Sequence, residues 1–335
     1  MRSQISQWHA RGAVVKAQMA AGTKLSERDS APLMFDLLAD PKQFPEDYLQ
    51  RTADRFEQWS DYFRLYGRGA GMLQLLPLLH AYSFDHIPDQ YRGSLWMDLS
   101  GARLSMKMHP GHYSELVARL SEVPEEAVDQ IEKDVPRTFP DHPFFRAEGA
   151  VILRRLLLAY ALHNLDVVYC QGMNYIAAVF ICFLGEQEAF WLLDVLIRVV
   201  LPDYHSGSMS GAVVDQWVFA ELLERYLPDV SASVKRISRQ YLPAGQNLMS
   251  CISFSWFLTA FASWLPMESA LAVLTLLLVQ GRSSVLLFQV GLAVMKAKAT
   301  VLETCETIPN ARMLSEGVWW SDLVAMITRD FAGLS

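Results

Sequence analysis

An excess of positive charge is what this 335-residue sequence most plainly lacks: 29 Lys and Arg stand against 36 Asp and Glu, for a net charge of -7. A general electrostatic grip on nucleic acid or on an anionic lipid surface needs clustered Lys and Arg, so neither class of partner is expected, and only a local basic patch stays open. Cysteine is scarce as well. Cys170, Cys182, Cys251 and Cys305 are far apart, and two lie in apolar helical pattern. They predict no disulfide framework and read as reduced, buried thiols of a cytosolic protein. Residues 1–19 hold no continuous apolar stretch, so a secretory signal is not expected. Strand-type alternation, a repeat of fixed period and low-complexity tracts are all missing.

What is present is a core-rich composition, 52% hydrophobic and 19% charged. The length is past the point where one core grows freely, so one large domain with an appendage or two modest domains are the expected organisations. Residues 1–45 are irregular, with Asp-Pro and Ser-Ala-Pro breakers, and read as a flexible lead. Residues 46–86 read as a helical extension whose aromatic stripe, Phe56, Trp59, Phe63 and Tyr66, docks on the main domain at 87–335. Gly67 to Gly71 lacks the Lys-Ser/Thr and the preceding strand that a phosphate loop needs. Leu73, Leu76, Leu79 and Tyr82 start a second short helix.

From Ile87 onward helical patterns follow one another, including the apolar runs 189–201, 251–265, 270–279 and 285–295, with Pro202, Pro228, Pro243, Pro266 and Pro309 between them as terminators. The expected architecture is all-α. Residues 246–265 carry no charge and could span about 30 Å of hydrocarbon. Ser250, Ser253, Ser255, Thr259 and Ser263 recur through that run, however, and Pro243 and Pro266 bracket it, which predicts a buried core helix and no transmembrane segment.

Two short stretches carry chemistry. Glu125 to Asp134 predicts a helix that starts after Pro124 and stops at Pro136. Asp134 then sits at the helix C-terminus, where the dipole disfavours a carboxylate unless a cation compensates it; Arg137 and Arg92 are the candidates. Between Pro136 and Pro140, Arg137 is expected in an extended stretch that presents its guanidinium, though a simple pairing with Asp134 or a helix cap is the plainer use. The second stretch follows a helix over Leu153 to Leu165. There Tyr169-Cys-Gln-Gly places Gln171 in a turn ahead of a helix from Tyr175 to Leu184, and Gly172 removes side-chain bulk beside it. A glutamine bonded to local backbone is the alternative. His109 and His112 lack further ligands at metal spacing, and Cys170 with His163 is weak support for a thiol nucleophile.

Taken together, Tyr91-Arg-Gly-Ser-Leu-Trp96, the triad Ile131, Asp134 and Arg137 running on to Thr138, and Tyr169 with Gln171 resemble the ordered motifs of the TBC-domain Rab GTPase-activating protein family. The likeness runs from about Ile87 to Lys298, and implies a multi-helix TBC (Rab-GAP) domain. It implies that Arg137 enters the nucleotide site of a GTP-bound Rab-family small GTPase as an arginine finger, and that Gln171 positions the attacking water as a glutamine finger. Asp134 would hold Arg137, Tyr169 would anchor the Gln171 loop, and Arg92 and Trp96 would support the arginine loop. No cofactor or metal of the chain's own is implied, because GTP and Mg²⁺ come with the partner. A role in vesicle trafficking follows, in the cytoplasm or on membranes reached through the Rab. The other reading is a TBC-fold binding module for a small GTPase or an adaptor, without catalysis. One departure stands out: where the family often carries Trp-Asp and later Glu-Gly, this chain has Leu274-Thr275 and Gln280-Gly281, which predicts altered helix packing rather than lost activity.

Overall fold

A computed structural model describes residues 89–243, 248–280, 284–305 and 317–334, together with Trp59, Ile87 and Leu314. Every regular element among the described residues is helical, in agreement with the all-α expectation. The described residues fall into two units, one drawn from 1–162 and 177–193, the other from 163–176 and 194–335.

In the first unit, α1 (Asp89–Leu99), α2 (Ala102–Met108), α3 (His112–Ala118) and α4 (Glu125–Asp134) precede α5 (Glu148–His163), α6 (Met173–Phe183) and α7 (Glu186–Val195), the last three crossing the boundary between the units. The Arg-Gly-x-x-Trp element explains how α1 docks. Trp96, fully buried, meets Phe180 and Phe183 edge-on at 5.5 and 5.4 Å. Gly93 lets the two backbones close up, since a Cβ there would lie 2.4 Å from the Phe183 carbonyl oxygen. Arg92 donates to the Ile87 carbonyl at 2.7 Å and to Asp89 Oδ1 at 3.0 Å, with its guanidinium 5.6 Å from the Phe183 ring. Paired, bonded and stacked, this buried arginine meets the conditions for a charge inside a protein. The fully buried Trp59 packs with Ile87 and Leu95; the rest of the aromatic stripe, Gly67 to Gly71 and the 73–82 helix lie outside the described residues.

A polar hub ties three further helices together. Tyr113 of α3 donates to Glu186 of α7 at 2.5 Å, and Arg155 of α5 grips the same carboxylate with both arms of its fork, Nε at 2.6 Å. Burial and the Glu186 hydrogen bond push the Tyr113 hydroxyl far above its ordinary pKa, so it stays a neutral donor. His109 and His112, weighed above as metal ligands, lie against Trp191 at 5.2 and 5.8 Å between ring centroids.

The second unit continues from α7 through a π-helical turn, Leu196–Val200, to α8 (Ser210–Tyr226), α9 (Pro228–Tyr241), α10 (Leu248–Leu258), α11 (Met267–Gln280), α12 (Ser284–Ala297), α13 (Ala299–Thr304) and α14 (Trp320–Met326). Its core is aromatic: Phe219 of α8 touches Phe257 of α10 at 5.3 Å and stacks on Phe288 of α12 at 6.4 Å. Pro202 and Pro243 follow helices as expected, but Pro228 opens α9, where its fixed φ and missing N–H cost nothing. The uncharged run at 246–265 is not one helix. α10 ends at Leu258, and a turn over Thr259 to Trp264 separates it from α11. No helix among the described residues is long and apolar enough to cross a membrane. Cys251 corrects the expectation of four buried thiols: it is exposed, on the face of α10 opposite buried Trp256, whereas the other three are buried. At the family departure, Leu274 and Thr275 are both buried, and Thr275 satisfies its hydroxyl within α11 by donating to the Leu271 carbonyl at 2.7 Å.

Candidate functional site

The arginine loop grows out of α4. Ala127, Ile131 and Asp134 recur at helical spacing as the buried face, and Glu125 and Glu126 sit in the first turn, where the dipole favours them. The chain does not become extended after Asp134, as the flanking prolines had suggested. It tightens into a 3₁₀ turn, Val135–Arg137, with Pro136 in its first half. Side-chain bonds outweigh the pre-proline bias against helical backbone at Val135. The Thr138 hydroxyl, almost fully buried, donates back to the Asp134 carbonyl at 2.7 Å, and Arg137 Nη2 meets Asp134 Oδ1 at 2.5 Å. Asp134 is thus compensated by Arg137, and Arg92 bonds to the Ile87 carbonyl and to Asp89. The pair is lopsided: the Asp134 side chain is 5% exposed and that of Arg137 49%. One end is anchored in the core and the other is half exposed to solvent, with Nη2 of the guanidinium fork engaged by Asp134. Phe139 follows directly at φ 44, in the left-handed region.

The glutamine turn lies between α5 and α6, and α6 starts at Met173, two residues earlier than its apolar pattern predicts. Val168, a β-branched residue, sits at φ 54, and Gly172 at φ 112. Left-handed backbone at a β-branched residue is strained by about 1–3 kcal/mol and survives where its surroundings dictate it. Here the Val168 N–H donates to the Asn164 carbonyl at 2.7 Å. Between these two positions Tyr169 and Cys170 are buried and Gln171 is exposed. The Gly172 N–H donates to Asn174 Oδ1 at 3.0 Å, and the Cys170 N–H meets Met173 Sδ at 3.2 Å. The Cys170 thiol points to the Gln171 carbonyl at 3.6 Å.

His163, weighed above beside Cys170, meets Asp194 Oδ1 at 3.1 Å. Arg198 grips the same carboxylate with both arms at 2.7 Å. Burial alone would raise the Asp194 pKa, but the His163 and Arg198 hydrogen bonds outweigh it and hold the carboxyl below its ordinary range. Among the described residues no group of three or more His, Cys, Asp or Glu could hold a metal ion.

Asn174, three residues after Gln171, is fully buried and is a site residue that the motifs above do not include. Its signal was its place three residues after the glutamine and two after a glycine whose N–H needs an acceptor. Leu258 and Thr259, which pack on Gly172, carried no such signal. Their positions are more than eighty residues away, in a stretch that reads as plain core helix.

These motifs on an all-helical scaffold define a domain class. Residues 89–302 match the Rab-GTPase-TBC domain family, and the chain belongs to that family, as its three ordered motifs had indicated. Among relatives, a human protein named growth hormone-regulated TBC protein 1 is 34% identical over 284 residues, 83% of this chain and 79% of that protein. A relative from Emericella nidulans is 33% identical over 247 residues, 73% of this chain but 21% of its own, much longer sequence. Among solved structures, the Chlamydomonas flagellar RabGAP TBC domain aligns with a TM-score of 0.70 at 25% identity, covering 88% of this chain and 100% of that one.

Proposed function

We propose that this chain accelerates GTP hydrolysis by a Rab-family small GTPase in its GTP-bound form, with Arg137 and Gln171 as the two groups it supplies. Phosphoryl transfer asks little covalent help of a protein. It asks for charge stabilisation on the transferring group and for an oriented water. Arg137 provides the first: its guanidinium is tethered through buried Asp134 and keeps donors free for phosphate oxygens. Gln171 provides the second, since a carboxamide offers a donor and an acceptor to one water. GTP and Mg²⁺ come with the partner, and the chain needs no cofactor of its own for this role. It works in the cytoplasm, at whichever membrane surface holds its Rab.

The observation that carries this reading is that both motif side chains stand exposed on buried anchors, Arg137 on Asp134 and Gln171 between buried Cys170 and Gly172. The test is turnover of GTP by a panel of GTP-loaded Rab proteins, with wild type, Arg137→Ala and Gln171→Ala compared. At least one Rab should be accelerated, and Arg137→Ala should lower its rate about a thousandfold or more, roughly 4–7 kcal/mol of barrier. No acceleration of any Rab would leave the chain a Rab-binding module, and acceleration that survives both substitutions would end the two-finger mechanism.

A further inference from the structure

The Gln171 turn rests on a second turn that belongs to no finger motif. α10 ends at Leu258, and the chain then passes through two consecutive non-glycine residues in the left-handed region, Ala260 at φ 46 and Phe261 at φ 64. No glycine relieves this stretch. It is held by its own bonds: the Phe261 N–H donates to the Trp256 carbonyl at 2.7 Å and the Ala262 N–H to the Thr259 carbonyl at 2.9 Å. From behind, His205, 1% exposed, donates Nε2–H to the Leu258 carbonyl at 2.8 Å, which fixes its tautomer. That carbonyl is among the last of its helix, where acceptors have no intrahelical partner.

The other side of this turn faces Gly172. A Cβ built on Gly172 would lie 3.2 Å from Thr259 Cγ2 and 3.5 Å from both the Cβ and the carbonyl oxygen of Leu258. Gly172 is therefore required twice, by its φ of 112 and by the methyl group in front of it. That methyl cannot swing away easily. The Thr259 hydroxyl donates to the Ser255 carbonyl at 2.8 Å and lies 3.0 Å from Ser263 Oγ, which locks χ1 and leaves Cγ2 aimed at the glycine.

We propose that Thr259 is a positioning residue for Gln171: its methyl group is the stop on which the Gln171-Gly172 turn sits, with Leu258 and His205 as its backing. The proposal rests on the reading of Gln171 as the water-orienting group and adds what sets its direction. A displacement of about 1 Å at such a group is enough to cost one to two orders of magnitude in rate.

Thr259→Ser and Thr259→Val separate the two halves of the side chain. Serine keeps both hydroxyl bonds and removes Cγ2; valine keeps a methyl facing Gly172 and removes the bonds. With the most responsive Rab from the panel, Thr259→Ser should lower kcat about tenfold at unchanged KM, and Thr259→Val should retain most of it. In a Gln171→Ala background Thr259→Ser should add no further loss, whereas in an Arg137→Ala background its loss should persist. In the free protein, Thr259→Ser should speed hydrogen exchange of the Gln171 to Met173 amides about tenfold, a readout that needs no partner. Unchanged exchange in Thr259→Ser, or an equal fall in kcat with Gln171 present and absent, overturns the positioning role while the fingers stand. If Gln171→Ala itself leaves turnover untouched, the finger reading fails, and with it the catalytic meaning of the stop, even where exchange responds as expected.

Discussion

The arginine loop and the glutamine turn present one side chain each, and they are held in opposite ways. Arg137 is fixed by side chains from its own neighbourhood: a buried carboxylate three residues back and a threonine one residue on, all inside eight residues of sequence. Gln171 is fixed by backbone. Its turn is set by a glycine at φ 112 and a strained valine at φ 54, and it is bounded by Leu258 and Thr259 from a distant part of the chain. A long charged side chain can be steered by one ion pair, because its donors tolerate some play. A short amide in the proposed role of orienting a water has fewer degrees of freedom to correct an error, so its backbone has to be right.

Acid should break the comparison most strongly. Burial depresses the pKa of His205, behind the glutamine turn, to about 4, against the backbone bond to Leu258 that acts the other way. Burial alone takes His142, after the arginine loop, to about 4 as well. A histidine depressed on folding contributes stability that is full above its unfolded pKa, near 6.5, and is lost as pH falls toward the folded value. For fully buried His205 the loss between those limits is roughly 3 kcal/mol; for less buried His142 it is smaller, because solvent screens its charge. Urea midpoints followed from pH 7 to 4 should fall accordingly, and His205→Asn should flatten that slope more than His142→Asn does. Equal flattening would mean that His205 is hydrated and does not clamp Leu258.

Next comes the backbone itself. Gly172→Ala puts a Cβ into a left-handed backbone and against the Thr259 methyl, a cost of about 2–3 kcal/mol in overpacking and strain. Turnover should fall to the level of Gln171→Ala, although the glutamine is still present. Near-normal turnover would show that the carboxamide finds its place without the turn.

The same contrast decides what the sequence disclosed. The arginine loop was legible because its causes are local: Pro124 and Pro136 bound the helix, and Asp134 at the wrong end of the dipole called for Arg137. Even so its backbone differed, since back-bonding by Thr138 closes a 3₁₀ turn where two prolines suggested extended chain. The Arg92, Gly93 and Trp96 spacing was visible as a motif, but only the Phe183 backbone beside Gly93 explains it. The glutamine turn was half legible. Gln171 and Gly172 could be placed in a loop, while Thr259 lay hidden in an uncharged run whose hydroxyls looked like decoration on a core helix. The break after Leu258 depends on alanine and phenylalanine adopting left-handed backbone, which no local propensity announces.

Asp134→Asn asks whether the arginine loop is set by its ion pair or by the fold around it, and its expected effect is the smallest. Asparagine keeps the shape and an acceptor oxygen for Arg137 but removes the charge, so a charge-assisted bond becomes an ordinary one, weaker by about 1 kcal/mol. Removing a carboxylate from a helix C-terminus returns about 0.3–1 kcal/mol through the dipole. The two nearly cancel in stability, and the melting temperature should move by no more than about 2–4 °C. They do not cancel in turnover, because only the ion pair aims the half-exposed guanidinium; kcat should fall about tenfold with KM little changed. A large drop in melting temperature that tracked the loss of turnover would place the control of Arg137 in the packing of α4, and the two loops would then be held by the same means.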